Sequence, residues 1–242
     1  MLPALSDDER ALVAETWMFR AHAERLATMR FRRLAAELKA TGASPVVIEL
    51  AESAVEDEIR HAALCDRLAE RYGGEGASHV CELKPPAPLG PDGLCQEDRV
   101  LFEVMAFCCF TETINTAMLV ETVKQTKAPE IRSTVQEILK DEVSHSRLGW
   151  AHLNAMRERG KGAFLSETLP YMLRTAEVEA IFREDLRREG ERLVPYGELN
   201  YARRTGIFRA VVKDVIWPGL ESSGVSAESG QAWLAERKLV DA

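Results

Sequence analysis

The chain has 242 residues, 46% of them apolar and 29% charged, with a formal net charge of −8. That length and composition support a sizeable core, and the acidic balance argues against a nucleic-acid surface. No run approaches the ~20 apolar residues of a membrane span.

The first residues lack the basic and apolar regions of a signal peptide, so a cytoplasmic protein is expected, with no nucleic acid and no membrane among its partners. The five cysteines (Cys65, Cys81, Cys95, Cys108, Cys109) contain no C-x-x-C pair. Neither a disulfide framework nor a zinc or rubredoxin site is suggested.

In chain order, Ser6-Asp7-Asp8-Glu9 is a helix-start signal, and a helical pattern follows to about residue 40. Its inward stripe is Trp17, Ala21, Thr28, Phe31, Ala35 and Leu38, with Glu24 as a charge inside it. Gly42 and Ser44-Pro45 mark a stop and a new start, with Ser44 as N-cap and Pro45 in the first turn. A second helix is expected from about 45 to 72. Residues 73–94 concentrate the glycines and prolines. Such a long loop needs a reason. Extended, 22 residues reach ~70 Å, against ~42 Å for a 28-residue helix, so the loop can return to the far end of a bundle. A linker between two domains is the simpler alternative. A third helix, strongly apolar around Met105–Phe110, is expected over about 96–124, and a fourth over 129–159. Three more are expected near 168–189, 198–216 and 227–238, broken at Pro195-Tyr196-Gly197 and Pro218-Gly219.

Two stretches carry chemistry: Asp57-Glu58-Ile59-Arg60-His61 and Asp141-Glu142-Val143-Ser144-His145. Residues three and four apart share a helix face, so each Glu-x-x-His can grip one metal ion. Each Asp stands four before its histidine. It is expected to accept the imidazole's second N–H, Asp57 from His61 and Asp141 from His145.

Fold-back geometry selects two more glutamates. Residues equally far from a hairpin turn lie level. With turns centred near Gly42–Ala43 and Lys127–Ala128, Glu24 is level with His61, and Glu112 with the Glu142–His145 pair. Glu103 and Glu121, nine residues either side of Glu112, face the other way at about 100° per residue. The expected ligands are Glu24, Glu58, His61, Glu112, Glu142 and His145. Four carboxylates and two imidazoles suit iron or manganese better than structural zinc. The alternative is that the carboxylates form ion pairs with Arg20, Arg60 and Arg147.

The chain resembles the di-iron carboxylate proteins of the ferritin-like superfamily, whose bundles take a Glu-x-x-His from two helices and a Glu from each of the others. Asp57-Glu58-x-Arg60-His61 matches the D-E-x-R-H motif of bacterial multicomponent monooxygenase hydroxylases, while the second copy has Ser144 in place of Arg. The chain length is nearer that of aldehyde-deformylating oxygenases. The resemblance covers about residues 10–160.

The resemblance implies an all-α fold: a ferritin-like four-helix bundle with a long crossover, followed by about three C-terminal helices. Residues 1–242 would form a single domain, with core bundle about 6–160 and extension about 161–242. Two Fe ions are implied, with Mn or mixed Mn/Fe as alternatives, bridged by Glu58 and Glu142. Expected partners are O2, a small organic substrate and an external electron donor, and a homodimer is compatible. Thr116 matches the active-site threonine of the monooxygenases, and Cys65 a cysteine they carry near the metals. Cys65 and Cys108 are expected to line a substrate pocket, or to be inert core residues, and Thr116 to deliver a proton, or to bond its own helix carbonyl.

His152 is expected as a satisfied core histidine. Arg183, Arg187, Arg188, Arg203, Arg204 and Arg209 are expected to form solvated faces, or an anion or acyl-carrier site. Three functions fit: an O2-activating oxidoreductase; iron oxidation, peroxide reduction or storage as in ferritins and rubrerythrins; or a non-enzymatic helical binding module.

Overall fold

The computed structural model describes residues 4–74, 83–181 and 191–237. Among these every regular element is helical. The two long N-terminal helices are α1, Asp7–Ala40, and α2, Pro45–Arg71. Ser6 caps α1: its hydroxyl accepts from the Glu9 N–H at 3.3 Å and its own N–H donates to the Glu9 carboxylate at 2.8 Å, which satisfies two of the helix's orphan donors. The turn between α1 and α2 needs a left-handed residue, supplied by Gly42 at φ 69°. Ser44 then caps α2, with Pro45 in the first turn.

The third long helix is not uniform. It begins as α3, Gln96–Val104, passes through a π-helical stretch at Met105–Thr111, and resumes as α4, Glu112–Gln125. Helix α5 spans Pro129–Glu158. Arg99 pairs with Glu37 at 3.7 Å and Arg159 with Glu97 at 2.6 Å. The start of α3 therefore lies beside the ends of α1 and α5. Tyr72, at the end of α2, instead bonds Glu130 at the start of α5, 3.0 Å away. So α2 and α3 run in the same direction, and the segment joining them returns along the bundle, as its length allowed. Residues 75–82 of that segment lie outside the described residues.

Gln96–Gln125 is the one described helical run long and apolar enough to cross a membrane. It is mostly buried against its neighbours and carries Glu103 and Glu112 inward, both buried. Its apolar character is accounted for as the bundle's central helix.

The extension comprises α6, Leu165–Ile181; a short 3-10 turn at Val194–Tyr196; α7, Tyr201–Val211, running on through a second π stretch into α8, Trp217–Ser222; and α9, Glu228–Glu236. The expected break at Pro218-Gly219 does not occur. Pro218 stands in the first turn after the π stretch, where the hydrogen-bond register already changes and a missing N–H costs least. Residues 182–190, with Arg183, Arg187 and Arg188, lie outside the described residues. Leu169, Leu173, Phe208 and Trp217 of the extension share one apolar cluster with Phe102, Phe110 and Leu153 of the bundle.

Inside the bundle the core is split in two. One cluster contains Val13, Trp17, Leu68, Leu119 and Ile131; the other contains Phe31, Leu38, Val47, Val104 and Leu148. On every helix the residues between the two clusters are the candidate ligands: Glu24 on α1, Glu58 and His61 on α2, Glu112 on α4, Glu142 and His145 on α5. A polar layer is thus clamped between two apolar ones.

Candidate metal centre

The six residues converge. Ligand-type atoms of Glu24, Glu58, His61 and Glu142 lie within 4.8 Å of one another, and so do those of Glu112, Glu142 and His145. Glu58, His61, Glu142 and His145 are at most 1% exposed. His145 Nδ1 lies 3.2 Å from Glu58 and 3.3 Å from Glu142, and His61 Nδ1 lies 3.6 Å from Glu58 and 3.5 Å from Glu142. Glu58 and Glu142 therefore occupy the middle of the cluster and touch both imidazoles, with Glu24 and Glu112 outermost.

The aspartates are crossed relative to expectation. His61 Nε2 meets Asp141 of α5 at 3.1 Å, and His145 Nε2 meets Asp57 of α2 at 3.4 Å. Asp57 does not hold His61, nor Asp141 His145. The reason lies in the ring. Nδ1, the nitrogen nearer the backbone, turns in toward the glutamates, so Nε2 projects away from its own helix and finds the aspartate of the opposite one. Arg60 ties the arrangement together, bonding Asp57 at 2.9 Å and Asp141 at 2.6 Å. It serves the aspartates, so the alternative in which Arg60 neutralises the glutamates does not hold.

Electrostatics describe a site that needs positive charge. Burial, then the charges of Glu58 and Glu142, push Glu24 well above the usual carboxylate range, and Glu112 is raised likewise. Burial also acts on Glu58 and Glu142, but the imidazoles of His145 and His61 beside them outweigh it and hold both below that range. Burial disfavours the charged form of His61, yet the Glu142 and Glu58 carboxylates beside it raise it to about 11. His145 is raised by Asp57, Glu142 and Glu58 against the same burial. The shifts favour charged imidazoles, charged inner glutamates and uncharged outer ones, a combination without net charge. Exchanging those protons for two divalent cations leaves the balance unchanged.

A metal fits the donor set on a further ground. Glu58 Oε2, His61 Nδ1 and Glu142 Oε1 are buried, point into the cluster and have no hydrogen-bond partner. Buried polar atoms are rarely left so. Once Nδ1 gives up its proton, Nε2 still donates to an aspartate and Nδ1 presents its lone pair inward, the tautomer a metal requires.

A cavity of about 740 Å³ opens onto Glu24, Glu58 and Glu112. It runs between α1 and the α4, α6 and 198–204 segments, so the extension roofs it. Its surface is mostly apolar, with Phe19, Leu26, Phe107 and Met118 among the lining, but charged residues also reach it.

The expected pocket residues are elsewhere. Cys65 and Cys108 are fully buried in the two apolar clusters, and burial pushes both thiols well above their ordinary value. Thr116 donates to the Glu112 carbonyl at 2.7 Å and does not line the cavity. Phe107, Thr111 and Asn115 do. The π stretch explains the first two. Bonding five residues apart rather than four puts Phe107, instead of Cys108, on the Glu112 face. Thr111 bonds the carbonyl of Ala106 at 3.3 Å and the Glu179 carboxylate at 3.0 Å. On the closed side, a Cβ on Gly149 would sit 2.5 Å from Cys109 Sγ and 2.9 Å from Cys108 Cβ, so α5 and the π stretch touch too closely to leave a pocket there.

Glu103 is no ligand. It is fully buried and bonds Arg30 of α1 at 2.6 Å, with Arg33 on the same oxygen. The Arg30 guanidinium in turn lies over Phe107, 5.1 Å from the ring centroid. Arg204, expected on a solvated face, is buried beside Glu198 at 3.6 Å. His152 is buried, but its Nε2 has no hydrogen-bond partner among the described residues. Burial and then Arg159 depress its pKa to about 4, so it is a neutral core histidine and not a satisfied one.

What fold and site together define is an all-helical bundle with a buried carboxylate–histidine cluster able to hold metal. Comparison with protein-family models, with curated proteins and with solved structures gave no match in any of the three.

Proposed function

We propose that this protein is a ferritin-like di-metal carboxylate oxidoreductase that uses O2 to oxidise a small organic substrate. Iron is the metal the donors suit best, with manganese or a mixed pair as alternatives. The observation that carries the reading is the cavity of about 740 Å³ that reaches Glu24, Glu58 and Glu112. That is the size of an ordinary small-molecule site.

A metal pair held by Glu24, Glu58, His61, Glu112, Glu142 and His145 would supply the electrons that reduce O2, and an external donor would restore them. The chain's own residues do the rest. Asp141 and Asp57 orient the two imidazoles. Phe107 and Leu26 keep water from the inner end of the cavity. Glu179 accepts a hydrogen bond from Thr111, and burial raises it above the usual carboxylate range, which favours its protonated form at the cavity wall.

Iron oxidation or storage is the second reading, and one observation favours it: Glu15, Glu179 and Glu198 line the cavity beside the ligands. Such carboxylates would serve a route for passing iron. Glu179, however, is engaged by Thr111, and Glu198 by Thr16 at 2.5 Å and by Arg204.

The test is O2 consumption by protein loaded anaerobically with Fe(II), with and without reductant and a candidate substrate. The oxidoreductase reading expects O2 uptake coupled to product, ending near two oxidised irons per chain. Uptake of tens of irons per chain under air, with a mineral forming, would replace it with the storage reading.

A further inference from the structure

Besides the ligands, the cavity holds three guanidinium groups, those of Arg20, Arg30 and Arg204. Arg30 is committed to Glu103 at 2.6 Å, and Arg204 pairs with Glu198 at 3.6 Å. Arg20 is different. Its guanidinium lies over the ring of Trp17, 5.3 Å from the centroid, and no carboxylate among the described residues forms an ion pair with it. Trp17 is fully buried, so the ring is a fixed platform. Stacking holds the planar fork in place without using its N–H groups.

We propose that the cavity takes an amphipathic monocarboxylate, its head bound by Arg20 and its apolar chain laid against Phe19, Ala23, Leu26 and Phe107. This rests on the oxidoreductase reading for its consequence, since it names the class of substrate. Arg20 and Glu24 stand one helical turn apart, ~6 Å along the axis. A carboxylate on Arg20 therefore brings the chain attached to it beneath the ligand glutamates. The head is assigned a single charge because, among the described lining residues, Arg20 is the guanidinium without an ion pair, and the cavity also sees Glu15, Glu24, Glu58, Glu112, Glu179 and Glu198. A dianion would bring a second negative charge against that acidic wall. A neutral chain would leave Arg20 desolvated and unanswered on binding.

The experiment is equilibrium binding to the metal-free full chain by calorimetry, with decanoate, decan-1-ol and decyl phosphate as probes. The expected result is one decanoate per chain, bound at least about tenfold more tightly than either control. Arg20→Gln should cut decanoate affinity about tenfold and leave decanol unaffected, and Arg20→Lys should restore part of the loss. Circular dichroism verifies that each variant is folded. Equal affinity for decanoate and decanol, preference for decyl phosphate, full decanoate affinity in Arg20→Gln, or no decanoate binding would each overturn the proposal. Metal loading of the same preparation separates the two claims. Decanoate binding by a chain that takes up no metal would sustain the carboxylate site and sink the oxidoreductase reading. A chain that loads two metals and ignores decanoate would do the reverse.

Discussion

Asp141 of α5 accepts the Nε2–H of His61 on α2 at 3.1 Å. The bond ties together the two helices that carry the Glu-x-x-His motifs, and Asp57 repeats it in the other direction with His145. Each imidazole is thus aimed by the opposite helix. A change at Asp141 should act on the His61 half of the site, even though Asp141 lies in the same motif as His145.

That gives the first prediction. Asp141→Asn keeps the shape but weakens the acceptor on His61, and loss of such a partner costs about 10–100-fold in metal affinity. A binding isotherm should show one of two metals weakened by this amount. Spectroscopic signatures of histidine ligation would show whether His61 or His145 is the one disturbed. An effect confined to His145 would contradict the crossed pairing.

Glu103 and Glu112 provide a contrast within one helix. Glu112→Ala should remove metal from its half of the site. Glu103→Ala should leave metal content near normal but strand Arg30, which is buried, and Arg33. Removing one member of a buried pair costs about 3–5 kcal/mol. Urea denaturation and metal analysis on both variants would check this, and loss of metal in Glu103→Ala would mean the ligand is misassigned.

Acid should destabilise the fold partly through His152. Its folded pKa is about 4 against an ordinary 6.5. The unfolded chain therefore binds the proton first as pH falls, and stability is lost between about pH 6.5 and 4. Above 6.5 both states are neutral and the residue contributes no pH dependence. The shift corresponds to a loss on the order of 3 kcal/mol. His152→Leu should flatten the stability curve over that window and nowhere else, measured as the difference between the two proteins' urea midpoints at each pH.

Gly149 marks the closest approach of α5 to the π stretch. An added Cβ would fall 2.5 Å from Cys109 Sγ and 2.9 Å from the Cys109 backbone nitrogen. Backbone cannot yield as a flexible side chain does, so Gly149→Ala should destabilise by about 1–3 kcal/mol. It should also disturb the site, because the π stretch leads directly into Glu112. A variant as stable as the parent would show that the two elements are further apart.

The convergence of the carboxylate–histidine cluster was legible because its signals are local or follow from simple geometry. Glu58, His61, Glu142 and His145 are fixed by i,i+3 spacing inside apolar stripes, and Glu24 and Glu112 by equal distance from two well-marked turns. The crossed aspartates were not legible. Asp57 is as well spaced for His61 as for any partner, and the choice depends on which ring nitrogen turns inward and on how α2 faces α5. The lining of the cavity failed for a different reason. Cys108 stands one α-helical turn before Glu112, and the π stretch at Met105–Thr111 changes that spacing in a run of residues with no Gly or Pro to announce it. Thr116, in regular helix after Glu112, bonds its own helix carbonyl and leaves Asn115 to face the cavity. Arg204 reads as one of several surface arginines. Its burial beside Glu198 is set by the packing of the extension over the cavity, which no local pattern encodes.

The most direct test is metal stoichiometry. The purified chain would be stripped, reconstituted anaerobically with Fe(II), separated from free metal and analysed for bound iron against protein. The cluster formed by Glu24, Glu58, His61, Glu112, Glu142 and His145 predicts two irons per chain, falling to about one or fewer in Glu112→Ala. Fewer than one iron in the parent protein, or the same iron content in parent and Glu112→Ala, would contradict it.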